Sequence, residues 1–209
     1  MADPRLFRLR VRYAEQGRLA MLSHLEITHA LERIVRRSGL PFALSQGFSP
    51  HMKIAFGPAL PVGVGGLDEV FDIQLTAYIA PDKALSALQG ASPADLAPHA
   101  CAYVEPSADA ASVAFPVGTY EVTLDAPLAH LSVPDEVSVM RKGKEKVLST
   151  ADYLVGAPRL EGQRLIFALR STQAGSMRAD AFADACIQLS ARGSDDMPKV
   201  ITFMRISLG

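Results

Sequence analysis

The chain of 209 residues has no tryptophan, only two cysteines and no long apolar run. Cys101 and Cys186 alone supply too few ligands for a disulfide framework, a zinc cluster or a three-cysteine iron–sulfur site. The first ten residues lack the unbroken apolar segment of a signal peptide, and no segment approaches the ~20 apolar residues of a membrane span. These absences predict a cytoplasmic protein with no membrane contact, no metal and no cofactor.

A glycine-rich nucleotide cradle is also not indicated. Residues 57–66 contain four glycines, but they have no G-x-x-x-x-G-K pattern. An acidic strand follows them, whereas a phosphate cradle needs a helix whose N-terminus faces the phosphate. The segment therefore predicts a turn-rich connection.

Charge is balanced over the whole chain but segregated along it. Twenty-one Lys and Arg against 22 Asp and Glu give a net charge of −1, which argues against a nucleic-acid partner. Residues 1–60 carry nine basic and four acidic side chains, a net +5. Residues 61–136 carry one and eleven, a net −10, and residues 137–209 carry eleven and seven, a net +4. Such asymmetry is typical of interaction surfaces.

The first basic segment predicts a strand with one apolar and one cationic face. Apolar side chains alternate with arginines in this segment. The apolar positions are Phe7, Leu9, Val11 and Tyr13, and the arginines are Arg8, Arg10 and Arg12. The arginine face is a candidate phosphate-binding surface.

A helix with a second cationic face is predicted next. Ser23 and Glu26 have the spacing of a capping box, and an apolar stripe begins at Ile27. The opposite side carries His29, Arg33 and Arg36. This side is either a phosphate-binding surface or a solvated face balanced by Glu26 and Glu32.

Histidines on this helix are candidate acid–base groups. His24 and His29 are five residues apart and diverge by roughly 140°, so they cannot chelate one metal ion. His24 lies near the predicted helix N-terminus, where the helix dipole lowers the pKa of an imidazole. It is either a general acid or base or a partly buried histidine bonded to a carbonyl.

The turn after this helix and the acidic strand beyond it are candidate partner-binding elements. The turn has a flexible backbone, an exposed aromatic ring and polar groups, with Lys53 close behind it as a further phosphate or catalytic candidate. Asp68 and Asp72 lie on one side of their strand but about 13 Å apart, so a shared metal is not expected. The partner-binding candidates are Gly47, Phe48, Pro50, His51, Asp68 and Asp72.

The order of elements predicts an α+β fold with two tandem ferredoxin-like (βαββαβ) halves, each with an antiparallel sheet. The first half covers residues 1–104. An Ala-, Ser- and Pro-rich connector covers residues 105–116, and the second half covers residues 117–209. The second half includes a basic hairpin with Arg141, Lys142 and Lys144 as further phosphate-binding candidates.

One ensemble of motifs resembles a known family. It includes S-H-L-E at 23–26, A-L-E-R at 30–33, S-Q-G-F-S-P-H at 45–51, L-P-V-G at 60–63 and E-V-F-D at 69–72. It resembles an uncharacterised bacterial family of radical-SAM-linked proteins, which occur alone or fused behind a radical SAM protein with a cobalamin-type domain. The resemblance implies a radical SAM partner and an association with RNA processing and ribosomal proteins. It supplies no reaction.

Three hypotheses follow. The first is an accessory binding module that presents an RNA or ribosome-related substrate to a radical SAM partner. The second, by analogy with CRISPR repeat-processing ribonucleases of tandem ferredoxin-like architecture, is a metal-independent endoribonuclease using His24 or His29 with Lys53 or a neighbouring arginine. The third is a purely protein-interacting subunit that docks through the turn and the acidic strand. The sequence does not decide whether the protein is an enzyme.

Overall fold

The chain folds into two compact units. A computed structural model describes residues 6–141, 143–172, 175–192 and 196–209. The units comprise residues 1–115 and residues 116–209. Of Arg141 and Lys144 only the backbone is described.

The first unit is a sheet with helices on one face. Strand β1 (Phe7–Glu15) pairs antiparallel with β3 (Gly65–Leu75) and with β4 (Leu96–Tyr103). The short β2 (Ile54–Phe56) pairs with the outer side of β3. A short 3-10 helix (Gly17–Met21), α1 (His24–Arg37) and α2 (Pro81–Ala91) complete the unit.

The core of this unit follows the predicted alternation. Leu9 and Val11 of β1 are fully buried, as is Leu31 of α1, and all three belong to one apolar cluster. Phe71, Ile73 and Leu75 of β3 belong to the same cluster, as does Leu88 of α2. The residues that alternate with them, among them Arg10 and Asp72, therefore lie on the sheet face turned away from α1.

The predicted capping box is confirmed at the start of α1. The backbone N–H of Glu26 donates to Ser23 Oγ at 3.4 Å, and the backbone N–H of Ser23 donates to Glu26 Oε2 at 2.8 Å. The helix ends at Ser38, and Gly39 follows with φ of +71°, a conformation that favours glycine.

The second unit is built on three longer strands. Strand β5 (Val117–Leu124) pairs antiparallel with β9 (Arg164–Thr172) and with β11 (Val200–Leu208). A hairpin, a single helical turn, two short strands and one longer helix complete the unit. They are the hairpin β6 (Glu136–Arg141) and β7 (Lys144–Ser149), α3 (Thr150–Tyr153), β8 (Arg159–Glu161), β10 (Gly175–Ser176) and α4 (Ala179–Ser190).

Aromatic rings fill the core of the second unit. The ring of Phe167 on β9 lies 4.8 Å from that of Phe182 on α4 and 5.4 Å from that of Tyr120 on β5, measured between centroids. Phe182 and Cys186, one turn apart on α4, are fully buried. Phe182 and Cys186 therefore belong to the buried side of α4.

The predicted fold of two tandem ferredoxin-like halves with separate antiparallel sheets is wrong. Among the described residues, nine strands form one mixed sheet, and the remaining two form a separate two-stranded sheet. In the second unit, the described residues between β5 and β9 form the β6–β7 hairpin and the single turn α3 where the βαββαβ pattern requires a long helix. Pro127 and Pro134 interrupt a helix there, and β-branched residues such as Val137 and Val139 favour strands.

Within the described residues, no helix is long and apolar enough to cross a membrane.

Candidate nucleic-acid interface

The exposed side of α1 carries a row of cations, called here the α1 stripe: His29, Arg33, Arg36 and Arg37. All four residues are exposed, because the buried side of the helix is formed by residues such as Ile27 and Leu31. Arg36 and Arg37 lie in the last helical turn, where the negative end of the helix dipole favours cations.

The arginines of the α1 stripe make no ion pair with any described carboxylate. The guanidinium of Arg36 lies 5.6 Å from the centroid of the Phe42 ring, which orients it without neutralising its charge. Glu26 is used by the capping box, and Glu32, the other acidic residue of α1, forms no ion pair with any described residue. The stripe therefore presents uncompensated positive charge to solvent.

The arginines of β1 are arranged differently, because each lies beside a carboxylate. Arg10 donates two hydrogen bonds to Asp72, and Arg8 Nε lies 3.1 Å from Asp72 Oδ2. Arg12 forms an ion pair with Asp68. Hydrogen bonding to Asp72 raises the pKa of Arg10. These arginines form a paired network and not a row of free cations.

Residues 105–115 cover this network within the first unit. Arg8 donates to the carbonyl of Ala108 at 2.9 Å, and Arg10 donates to the carbonyl of Asp109 at 2.7 Å. The ring of Phe115 lies 5.2 Å from the guanidinium carbon of Arg10 and 4.9 Å from that of Arg12. The sequence of this segment predicts only a connector. Phe115, the single aromatic residue of residues 105–115, is the sequence feature that could have indicated this covering role.

The acidic partner candidates are bound inside the first unit. Asp72 is 3% exposed and also accepts the backbone N–H of Ala111 at 3.2 Å. Asp68 is half-buried and lies 3.2 Å from His99 Nε2, in addition to its ion pair with Arg12. His99 was not identified from the sequence, because its strand pairs with β1 from a distant part of the chain.

Hydrogen bonds join the two ends of the turn at 45–51. The backbone N–H of Ser45 donates to the carbonyl of His51 at 2.7 Å, and the N–H of His51 donates to Ser45 Oγ at 2.9 Å. Gly47 has φ of +133°, which requires glycine. Phe48 at the tip is fully exposed, and Pro50 and His51 are exposed beside it. The predicted accessible turn is therefore present.

The candidate acid–base groups lie at separate places in the first unit. His24 is exposed at the first residue of α1, with its ring edge-on to Phe56 at 6.2 Å. His29 lies in the α1 stripe. Lys53 precedes β2 and lines a cleft on the opposite face of the sheet. The structure does not assemble them into one cluster.

The basic hairpin forms as predicted, with its turn at Gly143, which has φ of +74°. Lys142 lies outside the described residues, as do the side chains of Arg141 and Lys144. The proposed phosphate contacts of this hairpin therefore stay a prediction.

Neither cysteine has the properties of a reactive thiol. Burial raises the pKa of the Cys186 thiol to about 12 and also raises the pKa of Cys101. The Cys101 thiol donates to the carbonyl of Pro81 at 3.0 Å. Among the described residues, no three His, Cys, Asp or Glu side chains are grouped as metal ligands.

Comparison with known proteins gives a family for this chain. No curated protein matches the sequence. A family model described as an uncharacterized protein conserved in bacteria (DUF2344) matches residues 8–179, which include both the α1 stripe and the arginine network. With most of its length matched, the chain belongs to this bacterial family.

Proposed function

We propose that this protein is a non-catalytic accessory module that binds RNA through the α1 stripe and presents it to a radical SAM partner protein. The observation that carries the proposal is that the arginines of α1 are exposed and unpaired among the described residues, whereas those of β1 are paired. Free cations on a rigid helix are suited to the phosphates of RNA, because binding releases condensed counterions.

The spacing of the stripe supports this assignment. His29, Arg33 and Arg36 follow one another at intervals of four and three residues, so they lie on one side of the helix. At 1.5 Å per residue the stripe extends over roughly 10 Å, enough for two successive phosphates of an extended strand. Guanidinium groups bind phosphate in a bidentate manner, which a lysine surface does not provide.

The endoribonuclease hypothesis loses its support. It rested on an analogy with tandem ferredoxin-like enzymes, and that fold prediction is wrong. Its candidate residues are also dispersed, since Lys53 lies on the sheet face opposite α1. Binding without cleavage is therefore the function we propose.

The turn at 45–51 is the proposed contact for the protein partner. A fully exposed Phe48 on a closed, glycine-containing turn offers an aromatic anchor of the kind found at the centre of protein interfaces. The radical SAM identity of this partner comes from the motif resemblance alone.

RNA binding is tested by titrating the protein into a labelled single-stranded RNA at two salt concentrations in EDTA. The double variant Arg33→Gln/Arg36→Gln is compared with Arg159→Gln/Arg178→Gln, which removes the same charge from residues already paired to Glu161 and Asp180. We expect salt-dependent binding that only the first variant weakens, by about tenfold or more. Equal affinities for both variants, or cleavage of the RNA, would contradict the proposal.

The partner assignment is tested separately by tagging the protein in its native host and identifying the proteins that copurify. We expect a radical SAM protein with the wild type and with Val113→Ser, an exposed control position. The Phe48→Ser variant should no longer copurify with that protein. Retention of the partner by Phe48→Ser would remove the turn from the interface.

A further inference from the structure

A cleft of 330 Å³ lies on the sheet face of the first unit that is turned away from α1. Its polar walls are Arg8, Lys53, Asp72 and Gln74, and its small walls are Ala55 and Ala110. Asp72 and Gln74 alternate along β3 with Ile73 and Leu75, which pack in the core with α1. The cleft and the α1 stripe are therefore separate surfaces.

Three side chains that line the cleft have nitrogen atoms without a hydrogen-bond acceptor among the described residues. Arg8 Nε is buried and makes no hydrogen bond, because its N–H is not directed at Asp72 Oδ2 despite the distance of 3.1 Å. Among the described residues, the Lys53 ammonium and the Gln74 amide have no hydrogen-bond or ion-pair partner either. The donors of Lys53 and Gln74 can therefore bind an acceptor from outside the chain without breaking a contact within it.

The charge around the cleft is positive. Both carboxylate oxygens of Asp72 accept from Arg10, and one of them also accepts from the backbone N–H of Ala111. Asp109 contributes a further negative charge near Arg10. Arg8, Arg10 and Lys53 carry three positive charges, and Asp72 and Asp109 carry two negative charges, which leaves a net +1. The acceptor that suits this site is an anion.

We propose that the cleft binds the oxyanion group, phosphate or carboxylate, of a small molecule. Lys53 makes the charged contact and Gln74 donates through its amide, while the Arg8 guanidinium adds positive charge to the lining. The volume is at the small end of the range for ligand clefts and exceeds that of one bare ion, so the ligand has a short organic part. Ala55 and Ala110 leave the space for that part.

The proposal is tested by titrating inorganic phosphate and, separately, acetate into the isotopically labelled full chain at constant ionic strength. Backbone amide shifts of Ala55 and Gln74 report occupancy of the cleft. We expect a saturable shift with at least one anion. The probe that binds more tightly, phosphate or acetate, identifies the oxyanion group as phosphate or carboxylate. Shifts that rise linearly without saturation would overturn the proposal.

Two variants and a control locate the site. Lys53→Met should lower the affinity for the anion by about tenfold or more, because it removes a charge-assisted hydrogen bond. Lys83→Met, at an exposed position on α2, should leave the affinity unchanged. Ala110→Leu retains every charge but fills the cleft from an exposed loop, so it should also abolish the saturable shift. Unchanged binding in Lys53→Met would overturn the proposal.

The test is independent of RNA. Because the cleft lies away from the α1 stripe, Arg33→Gln/Arg36→Gln should bind the small anion as the wild type does. If this variant no longer bound the anion, the cleft would not be the binding site, whatever the outcome for RNA.

Discussion

Arg10 donates two parallel hydrogen bonds to Asp72, from Nε to Oδ1 at 2.7 Å and from Nη2 to Oδ2 at 2.9 Å. Asp72 is almost fully buried, and it lies on the sheet face that carries the three arginines of β1. A bidentate pair of this kind holds both groups in one orientation. It explains why the basic first strand contributes little free charge, although it supplies three of the nine cations of residues 1–60.

Asp72→Asn should destabilise the first unit strongly. The substitution removes the charge that compensates Arg10 and leaves two guanidinium groups in a partly buried site. Loss of one partner of a buried pair costs about 3–5 kcal/mol in the free energy of unfolding. The change is measured by urea denaturation followed by circular dichroism.

Asp180→Asn is the matched control for that substitution. Asp180 pairs with Arg178, whose side chain is 58% exposed, so water screens the interaction. The expected loss is below about 1 kcal/mol. Equal losses for the two variants would show that the Arg10–Asp72 pair is not a buried, stabilising contact.

Glu26→Gln should remove a pH dependence of stability. Hydrogen bonds from the backbone and the hydroxyl group of Ser23 lower the pKa of Glu26. A carboxylate with a lowered pKa stabilises the fold fully above its unfolded-state pKa, and this contribution is lost as the pH falls through the folded-state value. The wild type should therefore exceed Glu26→Gln in urea midpoint at neutral pH, and the difference should shrink in acid. A constant difference would contradict the role of the charged form.

Cys186 should react slowly with iodoacetamide near pH 8. Its pKa of about 12 leaves almost no thiolate, and the side chain is fully buried on α4. In a Cys101→Ser background, alkylation of the native protein should be at least about a hundred times slower than in denaturant, since the thiolate fraction falls tenfold per pKa unit. Mass spectrometry follows the reaction. Similar rates in the two states would contradict a buried thiol.

The sequence predicted local features well, because local physics determines them. The alternation at 7–13 placed Leu9 and Val11 in the core, and the spacing of Ser23 and Glu26 located the start of α1. These features depend on side-chain periodicity and on contacts within one helical turn. The exposed side of α1 followed directly from them.

Long-range contacts could not be predicted in the same way. The pairing of Arg10 with Asp72 joins residues 62 positions apart, and the contact of Arg8 with Ala108 joins residues 100 positions apart. Sequence periodicity identifies which face a residue occupies, but it does not identify the residue opposite. The prediction of two ferredoxin-like halves failed for a related reason, because the order of strands in a sheet depends on pairing between distant segments.

The central claim is that the α1 stripe supplies the phosphate contacts, and its most direct test is the salt dependence of RNA affinity. Each phosphate contact contributes about 0.7 to the slope of log affinity against log salt for a single-stranded nucleic acid. Arg33→Gln/Arg36→Gln should therefore lower that slope by about 1.4, while Arg159→Gln/Arg178→Gln should leave it unchanged. An identical slope in the wild type and the α1 variant would contradict the account.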